Sequence, residues 1–344
     1  MLTLPGFVDL HVHFREPGFE YKEDIASGSL AAARGGYTDV CCMPNTMPVI
    51  DNPETVQYVR SKDNGLVNLL VVGALSIGLD GKKLADYNGM KDAGICALSD
   101  DGKTLQDEDL MYQAAIQAKE LGLLITDHAE PEAEIVARDI AIAEKIGCRI
   151  HLQHISMKES VELIRKAKSR GLPITAETAP HYFALTSDAL QTHKADAKMN
   201  PPLQKEADRL AVIEGLKDGT FDAIATDHAP HSEEEKAQPL DKAPFGIIGL
   251  ETAFAVSYTT LVKAGHLTME QLTKLMSLNP AKIIGLDKPS GQVVVDVDTP
   301  YTISRDGFAS KGKNTPFDGM QVYGKVMLTK YNGKITWRDE DYDR

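Results

Sequence analysis

The sequence has no apolar run long enough to span a bilayer, and it lacks the charged-then-apolar opening of a signal peptide. Both absences point to the cytoplasm. It is also short of positive charge: 37 lysines and arginines stand against 50 acidic residues, a formal net charge of −13. Such a surface argues against binding nucleic acid or an anionic membrane. Cysteine is scarce, with only Cys41, Cys42, Cys96 and Cys148 and no CxxC spacing. Three of them lie in strand-like apolar runs, so they read as buried thiols of a reducing compartment rather than as a disulfide framework. There is no internal repeat or low-complexity tract. What remains, 42% hydrophobic and 25% charged over 344 residues, is the composition of a globular enzyme with one large core and room for a small appendage.

Short β-rich apolar runs alternate with helix-like stretches. The candidate strands are 7–13, 38–43, 67–75, 94–98, 123–128, 149–155, 173–178 and 222–226. Amphipathic segments such as 107–121, 131–145 and 157–170 separate them. In 107–121 the apolar residues Leu110, Ala114, Ala118 and Leu121 recur at helical spacing. Eight strands alternating with helices predict a (β/α)8 TIM barrel. After helical stretches 250–263, 268–276 and 279–285, the segments 292–297, 322–329 and 334–338 read as short strands. Asn332-Gly333 reads as their hairpin turn. The expected division is a barrel of residues 1–288 and a small β appendage of residues 289–344. The run Ser232-Glu233-Glu234-Glu235 reads as a helix or loop start rather than a cation site.

In such barrels function sits at the C-terminal ends of the strands. His11 and His13, two apart, share one face of the first strand. Asn45 follows the second strand, Asp100 and Asp101 follow the fourth, His128 ends the fifth and His154 the sixth. Asn200 lies in the loop after the seventh, and Asp227 and His231 follow the eighth. An isolated His-x-His is as compatible with a structural pair as with a metal site. Four histidines and two carboxylates at strand ends instead suit a binuclear zinc-like centre. There His11, His13, His128 and His154 supply nitrogens, Asp101 bridges and Asp227 is a terminal carboxylate. A hydroxide shared by two metals is nucleophilic at neutral pH, and Asp227 beside it can act as general base and acid. Asp-Asp-Gly also reads as a capped turn, which leaves Asp100 open as an alternative to Asp101. Arg15 at the barrel mouth is a natural partner for a substrate carboxylate, with Asn45 and His231 beside it. A surface salt bridge to Glu16 or Glu20 is the alternative for Arg15. His151 reads as a buried, hydrogen-bonded group, His181 as lining the site or packing beside it, His228 as a supporting group, and His193 and His266 as exposed ones.

These residues resemble the bacterial-type (type I) dihydroorotases of the amidohydrolase superfamily. The resemblance rests on Pro5-Gly6-Phe7-Val8-Asp9-Leu10-His11-Val12-His13-Phe14-Arg15-Glu16-Pro17-Gly18, Met43-Pro44-Asn45-Thr46, Ser99-Asp100-Asp101-Gly102-Lys103 and Gln153-His154-Ile155-Ser156. It rests equally on Lys198-Met199-Asn200-Pro201-Pro202-Leu203, Thr226-Asp227-His228-Ala229-Pro230-His231 and Pro244-Phe245-Gly246-Ile247-Ile248-Gly249-Leu250-Glu251-Thr252. It implies the reversible cyclisation of N-carbamoyl-L-aspartate to L-dihydroorotate in pyrimidine biosynthesis, with two zinc ions per chain. The implied ligands are His11, His13, Asp101, His128, His154 and Asp227, with Asp227 also as general base and acid. Arg15, Asn45 and His231 would bind the substrate carboxylate and Asn200 the pyrimidine ring. A homodimer and association with aspartate carbamoyltransferase are the partners expected. Many relatives bridge their metals with a carbamylated lysine; here Asp101 stands in that place. The family usually has a β-sandwich built partly from strands ahead of the barrel, a longer loop where Pro131 follows His128-Ala129-Glu130, and a longer 286–303 region. The 289–344 strands would then be a remnant of that sandwich. The alternatives are a hydantoinase- or allantoinase-like hydrolase, from which Arg15 discriminates, and a non-catalytic scaffold, against which the complete ligand set argues.

Overall fold

In the computed structural model, which describes residues 1–343, the eight barrel strands are β2 to β9. β1 (Leu2–Pro5) precedes β2 (Phe7–Val12), and β3 (Tyr37–Cys42), β4 (Asn68–Gly73) and β5 (Ile95–Leu98) follow. β6 (Leu124–Asp127), β7 (Ile150–Leu152), β8 (Ile174–Thr178) and β9 (Ala223–Ile224) complete the set. They pair in parallel and in sequence order from β2 to β9. The ring closes through a parallel bridge between Val12 and His228, where the His13 amide donates to the His228 carbonyl at 2.9 Å. The expected (β/α)8 TIM barrel is therefore present.

The helices between strands follow from local signals. α1 (Ile25–Arg34), α2 (Pro53–Ser61) and α3 (Tyr87–Ala93) precede α4 (Glu108–Leu121), α5 (Glu132–Ile146) and α6 (Lys158–Ser169). α4 starts where Asp107 accepts the Leu110 amide, carries Glu108 and Asp109 in its first turn, and stops at left-handed Gly122. Met111, Ala114, Ala115 and Ala118 form its buried stripe, while Leu110 and Leu121 are only partly covered. Ser232 and Glu235 make a capping box at the head of helix Glu233–Lys236, as the acidic run predicts.

Two apolar layers hold the barrel. Outside, Val40, Val71, Ile125, Ile150 and Ile174 pack with helix residues such as Val56, Ala118 and Ile164. Inside, Val8, Leu10, Cys41, Val72, Ala97 and Leu124 meet Ala281 and Ile283 of the last helix. All four cysteines are free.

The small sheet departs from the expected boundary. β10 (Gly291–Asp296), β13 (Lys325–Tyr331) and β14 (Lys334–Arg338) form it, with β11 (Tyr301–Thr302) and β12 (Gln321–Val322) as a separate pair. Asn332 and Gly333, both with positive φ, turn β13 into β14 as expected. Its order, β1-β10-β13-β14, adds Leu2–Pro5 as an edge strand, so residues 289–344 do not build this sheet alone. The physical reason is long-range pairing: β1 finds its ladder partner nearly the whole chain away, which no local pattern encodes.

Candidate metal centre and active site

A bulge aims the first histidine. Leu10 packs in the inner apolar layer, yet the next residue, His11, also turns inward. The register against β3 slips between Asp9 and Val12, so the strand carries an extra residue there. Asp9 satisfies the displaced backbone: its Oδ1 accepts the His11 amide at 3.0 Å and the Thr226 amide at 3.1 Å. Burial raises the Asp9 carboxyl to about 7, against the pull of those bonds. Alternation alone would not have placed Leu10 and His11 on one side.

The six expected ligand residues meet at one point. His11 Nε2 lies 3.0 Å from Asp101 Oδ1 and 3.4 Å from Asp227 Oδ1. His13 Nε2 lies 3.1 Å from Asp227 Oδ1 and 3.4 Å from Asp101 Oδ2. His128 Nδ1 and His154 Nε2 face each other at 2.9 Å, and lie 3.6 and 3.9 Å from Asp101 Oδ1. Ligand atoms of His11, His13 and Asp227 fall within 4.8 Å of one another, as do those of His11, Asp101 and His154. All six side chains are buried.

These residues fit a metal centre on their own chemistry. Buried polar atoms are nearly always paired, yet both ring nitrogens of His11 and Nδ1 of His154 have no well-formed hydrogen bond. Imidazole nitrogens with carboxylate oxygens suit zinc and its neighbours. The electrostatics agree. Burial alone would raise the Asp101 carboxyl, but the charges of His11 and His13 hold it well below the usual carboxylate range. Burial is likewise overcome at Asp227, which the same two histidines hold down to about 2.

Asp100 and Asp101 separate cleanly. Asp100 accepts from the Leu75 and Ser76 amides at 2.8 and 2.9 Å and from the Ser76 hydroxyl at 2.5 Å, so it caps the turn after β4. Asp101 points into the histidine cluster. Asp101→Asn is therefore expected to lower bound metal while sparing the metal-free fold. Asp100→Ala is expected to lower folding stability by about 2 kcal/mol through lost bonds to a charged acceptor. Metal analysis beside urea denaturation of both variants checks the pair; the reverse pattern would exchange their roles.

The mouth of the barrel holds a cavity of about 290 Å³. Arg15, Asn45, Asn200 and His231 all line it with His13, Asp101, His128 and Asp227. Arg15 makes no ion pair with Glu16 or Glu20; its Nε donates to the Pro230 carbonyl at 3.3 Å. Asn45 is already engaged: its Oδ1 faces His13 Nδ1 at 2.9 Å and its Nδ2 donates to Asp101 Oδ2 at 3.1 Å. Both nitrogens of His231 face acceptors, the Phe245 carbonyl at 2.8 Å and Glu235 Oε2 at 3.2 Å. Asn200 Nδ2 donates to Glu130 Oε2 at 2.9 Å, and the other nitrogen of His128, Nε2, lies 3.5 Å from the same oxygen. Arg15, His154 and Asp227 have φ of 60°, 34° and 47°, a left-handed backbone that side-chain-bearing residues adopt at a cost. Three such residues around one cavity mark it as a site the fold holds under strain.

Sequence reasoning overlooked Glu130 and Glu177, the latter lying 3.4 Å from His11 Nδ1. A signal existed for Glu177. In β8, Ile174 and Ala176 belong to the outer apolar layer, so Thr175 and Glu177 must face the barrel interior. His151, His181 and His228 are all buried, whereas His193 and His266 are half-buried rather than exposed.

A (β/α)8 barrel that gathers four imidazoles, two carboxylates and a mouth arginine at one end is built as a metal-dependent amidohydrolase. The family model described as Dihydro-orotase-like matches residues 1–134. A dihydroorotase from Desulforapulum autotrophicum is 46% identical over 375 residues, covering 99% of this chain and 88% of the relative. One from Clostridioides difficile is 43% identical, with 98% and 88% covered. The solved L-hydantoinase (dihydropyrimidinase) from Arthrobacter aurescens shares the fold at a TM-score of 0.89 and 24% identity, covering 97% of this chain and 85% of that one. This chain belongs to the dihydroorotase family. The first alignment runs over 375 residues against 344 in this chain, so that relative carries residues this chain lacks.

Proposed function

We propose that this chain interconverts N-carbamoyl-L-aspartate and L-dihydroorotate, a ring-closing step of pyrimidine biosynthesis. The observation that carries the reading is Arg15: its guanidinium lines the same cavity as His13, Asp101, His128 and Asp227. Substrate and product both carry a carboxylate that takes no part in the reaction and needs a cation to hold it. A hydantoin has none.

In this reading His11, His13, Asp101, His128, His154 and Asp227 would together hold the divalent metal. Zinc suits the donor set. Bound metal supplies the Lewis acidity that polarises the reacting carbonyl and makes water nucleophilic at neutral pH. The remaining work falls to the chain. Asp227, ionised at neutral pH, takes the proton of the attacking water in ring opening and delivers it to the leaving ring nitrogen. In ring closure the same carboxylate moves the proton back. Arg15 holds the bystander carboxylate, with Asn45 and His231 on the same wall, and Asn200 meets the ring. A cytoplasmic homodimer, able to associate with aspartate carbamoyltransferase, belongs to the same proposal. So does the division into a barrel of residues 1–288 and a 289–344 unit that borrows β1.

The test is hydrolysis of dihydroorotate by the purified chain, with and without added zinc, beside hydantoin and allantoin. Selective, metal-dependent turnover of dihydroorotate is the expected result. Preference for hydantoin or allantoin would reassign the substrate. No turnover by folded, metal-loaded protein would favour a scaffold.

A further inference from the structure

One buried group beneath the metal centre has no part in the mechanism above. Glu177 lies at the end of β8, 1% exposed, between two histidines. Its Oε2 is 3.0 Å from His151 Nε2, and its Oε1 is 3.4 Å from His11 Nδ1. His151 Nδ1 in turn lies 2.8 Å from the Thr175 hydroxyl. Glu177 Oε1 and His11 Nδ1 have no other partner and no water-facing surface, so each has only the other to satisfy it.

We propose that Glu177 is the positioning residue that fixes the tautomer of His11 and so sets the affinity of the centre for its metal. The proton positions follow from chemistry. A neutral imidazole has one N–H and one lone pair, and its lone pair cannot face a carboxylate without repulsion. His151 therefore donates from Nε2 to Glu177, and its Nδ1 accepts from the Thr175 hydroxyl. Glu177 keeps its other oxygen for the N–H at His11 Nδ1. That leaves the lone pair of His11 at Nε2, where a bound cation would stand between it and the carboxylates of Asp101 and Asp227. Asn45 does the same for His13, where its Oδ1 faces Nδ1 at 2.9 Å. The two supports differ in kind. Asn45 is a neutral acceptor on the cavity wall. Glu177 is a charge sealed in the barrel, and its fixed negative charge also raises the basicity of His11. Thr175, His151 and Glu177 thus form a second layer whose one outlet is His11.

The inference rests on the metal-centre reading, and its test separates the two. Zinc affinity of the metal-free full chain is measured by competition with a chromophoric chelator, and the tautomer of His11 is read from 15N-histidine NMR of the zinc-loaded chain. Glu177→Gln keeps shape but loses charge; its affinity for zinc is expected to fall roughly 10- to 100-fold. His151→Gln, which removes only the far support, is expected to give a smaller loss, and it carries the test if Glu177→Gln does not fold. Wild-type zinc affinity in a folded variant of Glu177, or in His151→Gln if only that one folds, would overturn the proposal and leave the metal centre standing. So would a His11 protonated at Nε2 in the wild type. A wild-type chain that binds no zinc would overturn the metal-centre reading and this inference with it.

Discussion

Asp227→Asn is expected to retain metal and to lose roughly 10²- to 10⁴-fold in turnover, in both the hydrolytic and the cyclising direction. The substitution is well matched to its place. Asp227 has φ of 47°, and asparagine, like aspartate, is among the few residues besides glycine that visit this backbone. Its amide oxygen can take the position of Oδ1, 3.1 Å from His13 Nε2. What disappears is the ability to accept a proton. The wild-type carboxyl, held down to about 2 by His11 and His13 against its burial, is ionised throughout the working range. One group that takes a proton in one direction must give it back in the other, so the two rates fall together. Steady-state rates from dihydroorotate and from carbamoyl aspartate, with metal content measured on the same preparation, check this. Turnover above a tenth of the wild type in either direction would remove Asp227 from proton transfer. Loss of metal would show that its ligand role dominates.

The barrel was legible because its strands are short apolar runs bounded by helices with strong local signals. Asp107 and Gly122 around α4 need no tertiary information. The site was legible for a related reason: polar residues at the ends of apolar strands have few purposes besides function. What stayed hidden depends on partners distant in sequence. Choosing between Asp100 and Asp101 needs the Leu75 and Ser76 amides, which only the folded β4 end brings within reach. The bulge at Leu10 and His11 depends on Asp9 meeting the Thr226 amide, 217 residues away. β1 has no pattern of its own and is a strand only because β10 lies beside it. Asn45 and His231 line the mouth, but their existing partners, Asp101 and Glu235 among them, follow from side-chain packing that no spacing rule gives. Strain at Arg15, His154 and Asp227 is likewise a property of the closed barrel. It coincides with the residues that sequence reasoning put at the centre of the chemistry.

Arg15→Met carries the second large effect, and it bears on substrate rather than on proton transfer. Arg15 is sequestered at the mouth, where burial lowers its guanidinium from the usual value while Asp227 and Asp101 pull it up. Its Nε is occupied by the Pro230 carbonyl, and its two terminal nitrogens donate to no protein group among the described residues. A planar fork with both tips free, at the wall of a cavity, is the geometry that grips a carboxylate through two parallel bonds. Removing a charge-assisted interaction of this kind costs about 1.5–3 kcal/mol, so KM for dihydroorotate is expected to rise roughly 10- to 150-fold, with kcat much less affected. Arg15→Lys keeps the charge but offers a single point instead of a fork, and its KM is expected to fall between the two. A neutral cyclic amide such as hydantoin has nothing for the guanidinium to hold, so its weak turnover is expected to be the same in all three proteins. That contrast makes the prediction a test of recognition rather than of folding, because a distorted mouth would impair both substrates. An unchanged KM for dihydroorotate in Arg15→Met would take Arg15 out of the site. With it would go the argument that this cavity is shaped for a substrate with a spare carboxylate.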